Sequence, residues 1–237
     1  MWVFPLLGTV VSLTFAVALG RRYVARRRPY HALWTLALLL YAGASLALTV
    51  GAAGSWSGAA YRWFWLLGAV LTVPYLAAGE AFLLVRRGPV RTAVVLLLVF
   101  ATAFAANRIR VAGLDPAALE AELPRGTEVF AADAAVVTIA RLYSYLGYAV
   151  LLAGTLWSAW TMRGNAALRD RFVGTLAIAL GATIVAAGSA FAAAGSLAGF
   201  SAMNTVGVAV MFWGFLRASR VPRSVTPASE PVAAPPS

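Results

Sequence analysis

Two ionisable residues lie inside apolar stretches of this 237-residue chain, and their surroundings decide what chemistry is open to them. Arg141 shares one helical face with Thr138, Tyr145, Tyr148 and Thr155, at steps of three, four, three and seven. A guanidinium flanked by phenols suits a carboxylate or phosphate, held by charge-assisted hydrogen bonds. Asn204, in a later apolar run, falls at a similar depth, and Tyr41, Ser45, Thr72 and Tyr75 fall at compatible levels of two earlier runs. Arg141, Tyr145, Tyr148, Asn204, Tyr75, Tyr41 and Ser45 are therefore the expected lining of a polar, outward-facing ligand pocket. The plainer alternative has Arg141 reaching to lipid headgroups or pairing with Asp133 of the adjoining loop.

Glu80 is the only carboxylate inside an apolar run, beside Gly79 and downstream of Pro74, which is expected to kink its helix. Such a group either pairs with a nearby base, Arg87 and Arg91 being the candidates, or couples to an ion or proton. His31, at the edge of another run, reads as solvated polar surface, with pH sensing as the alternative.

Absences narrow the chemistry. With no cysteine there is no disulfide, thiolate metal site, iron-sulfur cluster or thiol nucleophile, and a single histidine cannot build a histidine-ligated metal centre. All nineteen basic residues are arginine, so retinal has no lysine for a Schiff base. No phosphate loop, catalytic triad or zinc motif is present, and one interfacial histidine with one buried glutamate is too little for an enzyme. No catalytic residue, metal or cofactor is expected.

These side chains must be positioned by helices in lipid. The chain is 62% hydrophobic and 11% charged, far from the roughly 25% charge of soluble domains. Its mean hydropathy is +0.82. Spanning a hydrocarbon core takes roughly 20 apolar residues. Seven such runs are expected, at 2–20, 31–51, 62–85, 91–107, 134–160, 172–194 and 197–216, which makes residues 1–216 an all-α seven-helix bundle. The fourth is the shortest. The first has small residues resembling a signal-peptidase site, but its arginines follow the apolar stretch, as in an uncleaved first helix.

Arginine sidedness sets the orientation. Arg21, Arg22, Arg26, Arg27, Arg28, Arg86, Arg87, Arg91, Arg163, Arg169, Arg171, Arg217, Arg220 and Arg223 fall on one side, with only Asp170 and Glu230. Arg62, Arg108, Arg110 and Arg125 fall on the other, among five carboxylates. The balance of +12 against −1 places the N-terminus outside and the C-terminus inside. Arg21, Arg22, Arg26, Arg27 and Arg28 are expected to meet the anionic headgroups of the inner leaflet, and lipid explains this basic patch without nucleic acid.

The segment 107–133 reads as a solvated connector or a lid, with a short helix near 116–123 introduced by Asp115-Pro116. The proline-rich 217–237 reads as a disordered cytoplasmic tail with no output domain. Gly174, Gly181, Gly188 and Gly195 recur every seven residues, and Gly207 and Gly214 repeat the spacing. Small-residue stripes let helix backbones approach closely, within the bundle or across a homodimer.

The stretch YRWFWLLGAVLTVPYLAAG over 61–79, with the charged lead-in at 26–29, resembles a pattern found in uncharacterised bacterial seven-helix integral membrane proteins. More distantly, the topology is similar to the seven-helix N-terminal sensor region of histidine kinases. The first likeness implies a multi-pass protein of the bacterial inner membrane. The second implies a sensor-like bundle working through an effector protein, since no kinase is present. A small transporter or channel subunit using Glu80 and Arg141 is the competing expectation.

Overall fold

The structure, a computed structural model, describes residues 2–219. Of the expected disordered tail 217–237, Arg217 and Ala218 instead continue the last helix and Ser219 ends it, while residues 220–237, with Arg220, Arg223 and Glu230, lie outside the described residues. All regular structure among the described residues is helical, and seven helices are long and apolar enough to cross a membrane. They are α1 (Val3–Arg26), α2 (Pro29–Ala53), α3 (Gly58–Leu84), α4 (Gly88–Val111), α5 (Ala134–Met162), α6 (Arg169–Ala193) and α7 (Leu197–Ala218). The chain is thus built as a multi-pass membrane protein.

Local chemistry sets the helix ends. Pro29 and Pro89 occupy the first turns of α2 and α4, where a missing N–H costs nothing. The Ser57 and Ser196 hydroxyls accept from the Ala60 and Gly199 amides and so cap α3 and α7. Gly195, in the left-handed region at φ +75°, turns the chain between α6 and α7.

Helices α1, α2, α3, α5, α6 and α7 form a ring, in that order, with α7 returning against α1. Helix α4 lies outside it, touching α3 and α5. Only 6% of its apolar stretch is buried, against 28–44% for the other six, so it is an outer buttress with an exposed apolar surface. It is also longer than its charge-free run suggested. Its last turns continue to Val111 because Arg62 of α3 donates to the Ile109 and Ala112 carbonyls, at 2.5 and 2.9 Å, satisfying that helix end.

The segment 112–133 is folded rather than a loose connector. In place of one short helix it has two turns, Ala117–Glu120 and Gly126–Val129, separated by Pro124, which disfavours helix in the residue before it. The Asp115 amide donates to the Val129 carbonyl at 2.9 Å, closing the segment on itself. Phe130 is fully buried, its ring 5.7 Å from Tyr61 and 5.6 Å from Trp65. The Tyr61 hydroxyl donates to the Pro124 carbonyl and the Trp56 indole N–H to the Glu122 carbonyl, each at 3.3 Å. Aromatic burial and these tethers hold the segment as a cap on one end of the ring.

Helices α6 and α7 meet along the glycine stripe. A Cβ on Gly181 would stand 2.5 Å from the Gly207 carbonyl oxygen, and one on Gly214 would stand 2.6 Å from that of Gly174. Gly188 likewise faces Met203 and Asn204. The stripe is therefore occupied inside this chain. At the arginine-rich end, Arg22 donates to the Ser219 hydroxyl and stacks 4.4 Å over Phe215, tying α1 to α7 rather than reaching outward. His31 is buried, not solvated, with its ring 4.4 Å from that of Tyr30.

Candidate functional site

The wall of the site begins with an irregularity in α3. Residues Trp65–Leu71 form a π-helical stretch, and the Thr72 amide reaches back five residues to the Leu67 carbonyl. Pro74 has no N–H to give, and its ring crowds the carbonyl one turn earlier; the widened turn upstream accommodates it. Along this stretch Trp65, Gly68, Ala69 and Thr72 all border one cavity. Wide turns of this kind are frequent at functional sites.

That cavity measures about 940 Å³, within the range that holds small-molecule ligands. Residues 123–127 of the cap roof it, and Leu151 and Met211 lie at its opposite limit. Its α6 wall is almost wholly apolar, formed by Ala182, Val185, Ala186, Ala190 and Ala193 with Ser189. Polar groups line it at several depths, with Tyr41, Thr72 and Tyr148 farthest from the cap. Arg141 and Asn204 each lie roughly 10 Å along their helices from the cap end, Trp65 about as far, and Ser201 nearer.

The charge in the cavity is positive. Its only charged lining residues are Arg125 and Arg141, and no carboxylate borders it. Arg125 is engaged, donating to Glu128 at 3.0 Å and to the Ala194 carbonyl at 3.1 Å. Asp133, expected as a partner for Arg141, is held instead by the Arg108 guanidinium at 2.8 and 2.9 Å. Among the described residues no ion pair or hydrogen bond engages the Arg141 guanidinium. Two further wall residues carry donors without partners: Trp65 Nε1 and Ser201 Oγ, the latter residue 1% exposed. Packing seals both atoms from the open space of the cavity, so each is an unpaired buried donor that costs about 1–3 kcal/mol rather than a group offered to a ligand.

Six of the seven residues expected in the pocket border this cavity: Arg141, Tyr145, Tyr148, Asn204, Tyr41 and Ser45. Tyr75 does not. Its hydroxyl is 3.1 Å from Thr102 on α4, because the π-helical stretch has rotated the following turns relative to a regular helix. Ser45 donates to the Pro5 carbonyl at 2.7 Å and serves mainly to join α2 to α1. Reasoning from sequence missed Trp65 and Ser201. A signal for the second was present, since Ser201 precedes Asn204 by three residues and shares its face.

Glu80 lies elsewhere, in a chamber of about 80 Å³ toward the arginine-rich end, with the hydroxyl-bearing Thr155, Ser158 and Thr175 on its wall. It is 2% exposed, and its Oε1 has no partner. A Cβ on Gly154 would stand 2.5 Å from its Cγ, so the glycine makes room for it. Neither arginine offered as its partner pairs with it. Arg91 turns to the Phe82 and Val85 carbonyls, at 2.9 and 2.8 Å, capping the end of α3, and no ion pair joins Arg87 to Glu80. Leu151 and Met211 border both the chamber and the large cavity and stand between them.

Comparison of the chain with protein-family models, with curated proteins and with solved structures finds no match.

Proposed function

We propose that this protein is a receptor-like, sensory seven-helix bundle of a bacterial cytoplasmic membrane that binds a small or lipidic ligand in the capped cavity. The arginine asymmetry supports an N-terminus and cap outside and a C-terminus inside, over an anionic inner leaflet. The observation that carries the reading is the cavity of about 940 Å³ whose Arg141 has no internal partner. A guanidinium within a spanning helix is costly unless it reaches headgroups or serves a ligand, and one that borders a cavity without carboxylates favours an anionic ligand. On this reading the signal passes to an effector in the membrane or cytoplasm. Ligand binding measured on the purified protein in lipid nanodiscs tests this. Arg141→Ala is expected to weaken it by about tenfold to a hundredfold, the worth of a hydrogen bond to a charged group, while the melting temperature holds. Unchanged affinity for every ligand that the native protein binds would remove the reading.

A second reading, a small transporter, draws on the Glu80 chamber and its two-residue partition from the cavity. Movement of Leu151 and Met211 would join the two spaces and give a carboxylate access to a path from the cap side. Uptake into proteoliposomes that is abolished in Glu80→Gln supports this reading; equal uptake by native and variant protein rejects it.

A further inference from the structure

The cavity has residues open to its surroundings in one place only. Of all the residues bordering it, the exposed ones are Arg141 and Tyr145 on α5, Ser189, Ala190 and Ala193 on α6, and Arg125 and Thr127 at the cap's edge above them. Tyr145 is 70% exposed while bordering the cavity. The other five seams of the ring are joined: Thr205 donates to the Phe4 carbonyl at 2.9 Å, Ser45 to Pro5 and Ser144 to the Ala69 carbonyl at 2.8 Å, Gly68 of α3 lies against Ala44 of α2, and α6 meets α7 along the glycine stripe. The hydrogen bond that joins α5 to α6, between the Tyr148 and Thr183 hydroxyls at 2.9 Å, lies below the opening. Arg141 and Thr183 each sit roughly 10–15 Å from the cap end of their helices, so the gap lies within the cap-side leaflet of a bilayer. The aqueous face is meanwhile roofed by the tethered cap.

We infer that the cavity's ligand is an amphiphile with an anionic head and an alkyl chain, which passes between α5 and α6 from the outer leaflet rather than through the cap from water. This rests on the ligand-binding reading above and names its substrate class and route. The head meets Arg141 near the cap, with Tyr145 one turn further along α5. The chain runs along the alanine and valine side chains of α6 toward Leu151 and Met211. From Arg141 to Leu151 the α5 wall is roughly 15 Å deep. No carboxylate borders the cavity to repel the head, and a cationic head would face Arg141 unshielded. A free fatty acid and an alkyl phosphate share this chemistry.

The test uses the full chain in nanodiscs with dodecanoate, dodecyl phosphate, dodecanol and acetate as probes. Dodecanoate or dodecyl phosphate is expected to bind at least about tenfold more tightly than dodecanol, and acetate not measurably; Arg141→Gln should erase the preference for charge. The relative affinities of the two charged probes tell a carboxylate source from a phosphate source. The route is tested by thiol bridging, which the cysteine-free chain makes site-specific. Tyr145→Cys with Ser189→Cys, joined by a bifunctional maleimide, should slow dodecanoate binding by more than about tenfold against the same variant left unjoined. Joining Ser55→Cys to Glu122→Cys across the cap should leave the rate unchanged. Melting temperatures of the joined and unjoined proteins control for folding. If the cap bridge blocks binding and the α5–α6 bridge does not, lateral passage is overturned. If acetate binds as tightly as dodecanoate, the amphiphile is overturned and the ligand-binding reading stands. If no probe binds and no other ligand is found, both fall.

Discussion

Helix α6 has two neighbours and treats them oppositely. Against α7 it is closed from end to end, glycine facing glycine with backbone atoms at the distance a methyl group would need. Against α5 it is joined by one side-chain hydrogen bond near mid-height and open above it. Lipid offers little hydrophobic drive for helices to associate, so dispersion contact between backbones decides which seams close. On the α7 side small residues face small residues. On the α5 side Arg141 and Tyr145 border the cavity while staying exposed, and the Tyr148 hydroxyl bonds to Thr183. The polar residues on α5 thus border the cavity at its open side.

The largest effect expected is at the closed seam. Gly181→Leu places its first carbon 2.5 Å from the Gly207 carbonyl and 2.8 Å from the Met211 amide nitrogen, so a backbone has to move. Overpacking against backbone costs on the order of 3 kcal/mol, which for a chain of this length lowers the melting temperature by roughly 10 °C. A melt within about 2 °C of the native protein would show that α6 and α7 are not packed as described.

Much of this contrast was readable from residue types. The seven runs, the recurrence of glycine and the face shared by Arg141 and Tyr145 all follow from hydropathy and helical period, which act locally. Three features did not, each for a non-local reason. The π-helical turn before Pro74 follows from a crowded carbonyl that a regular 3.6-residue phase cannot anticipate, and it is what turns Tyr75 toward α4. The exclusion of α4 from the ring leaves no mark in its composition, whose hydropathy of 2.0 equals that of α1. The cap is held by bonds from Trp56 and Tyr61 to carbonyls more than sixty residues away, and carbonyls carry no sequence signature.

A smaller effect tests where the closed part of the α5–α6 seam begins. Tyr148→Phe removes the bond to Thr183 but keeps the ring. Hydrogen bonds between membrane helices average about 0.6 kcal/mol, so the melting temperature should fall by roughly 2 °C. A fall as large as that of Gly181→Leu would mean that this one bond, and not packing nearer the arginine-rich end, holds the two helices together.

The smallest change in stability is expected on the open seam itself, and it is the sharper control for being small. Ser189 is exposed, and its hydroxyl donates only to the Ala186 carbonyl of its own helix, at 2.6 Å. Leucine there gives up a bond that bends a helix slightly if it does anything, gains helix propensity, and adds apolar surface where lipid or the cavity receives it. The melting temperature of Ser189→Leu should stay within about 2 °C of native, since substitutions at such positions change stability by roughly 0.5 kcal/mol or less. The same substitution made on one helix, Gly181→Leu on one face and Ser189→Leu on another, thus compares the two seams with residue type and helix held constant. A loss at Ser189 approaching that at Gly181 would show that α5 and α6 are in contact along their whole length in the bilayer, and the gap between them would have to be given up.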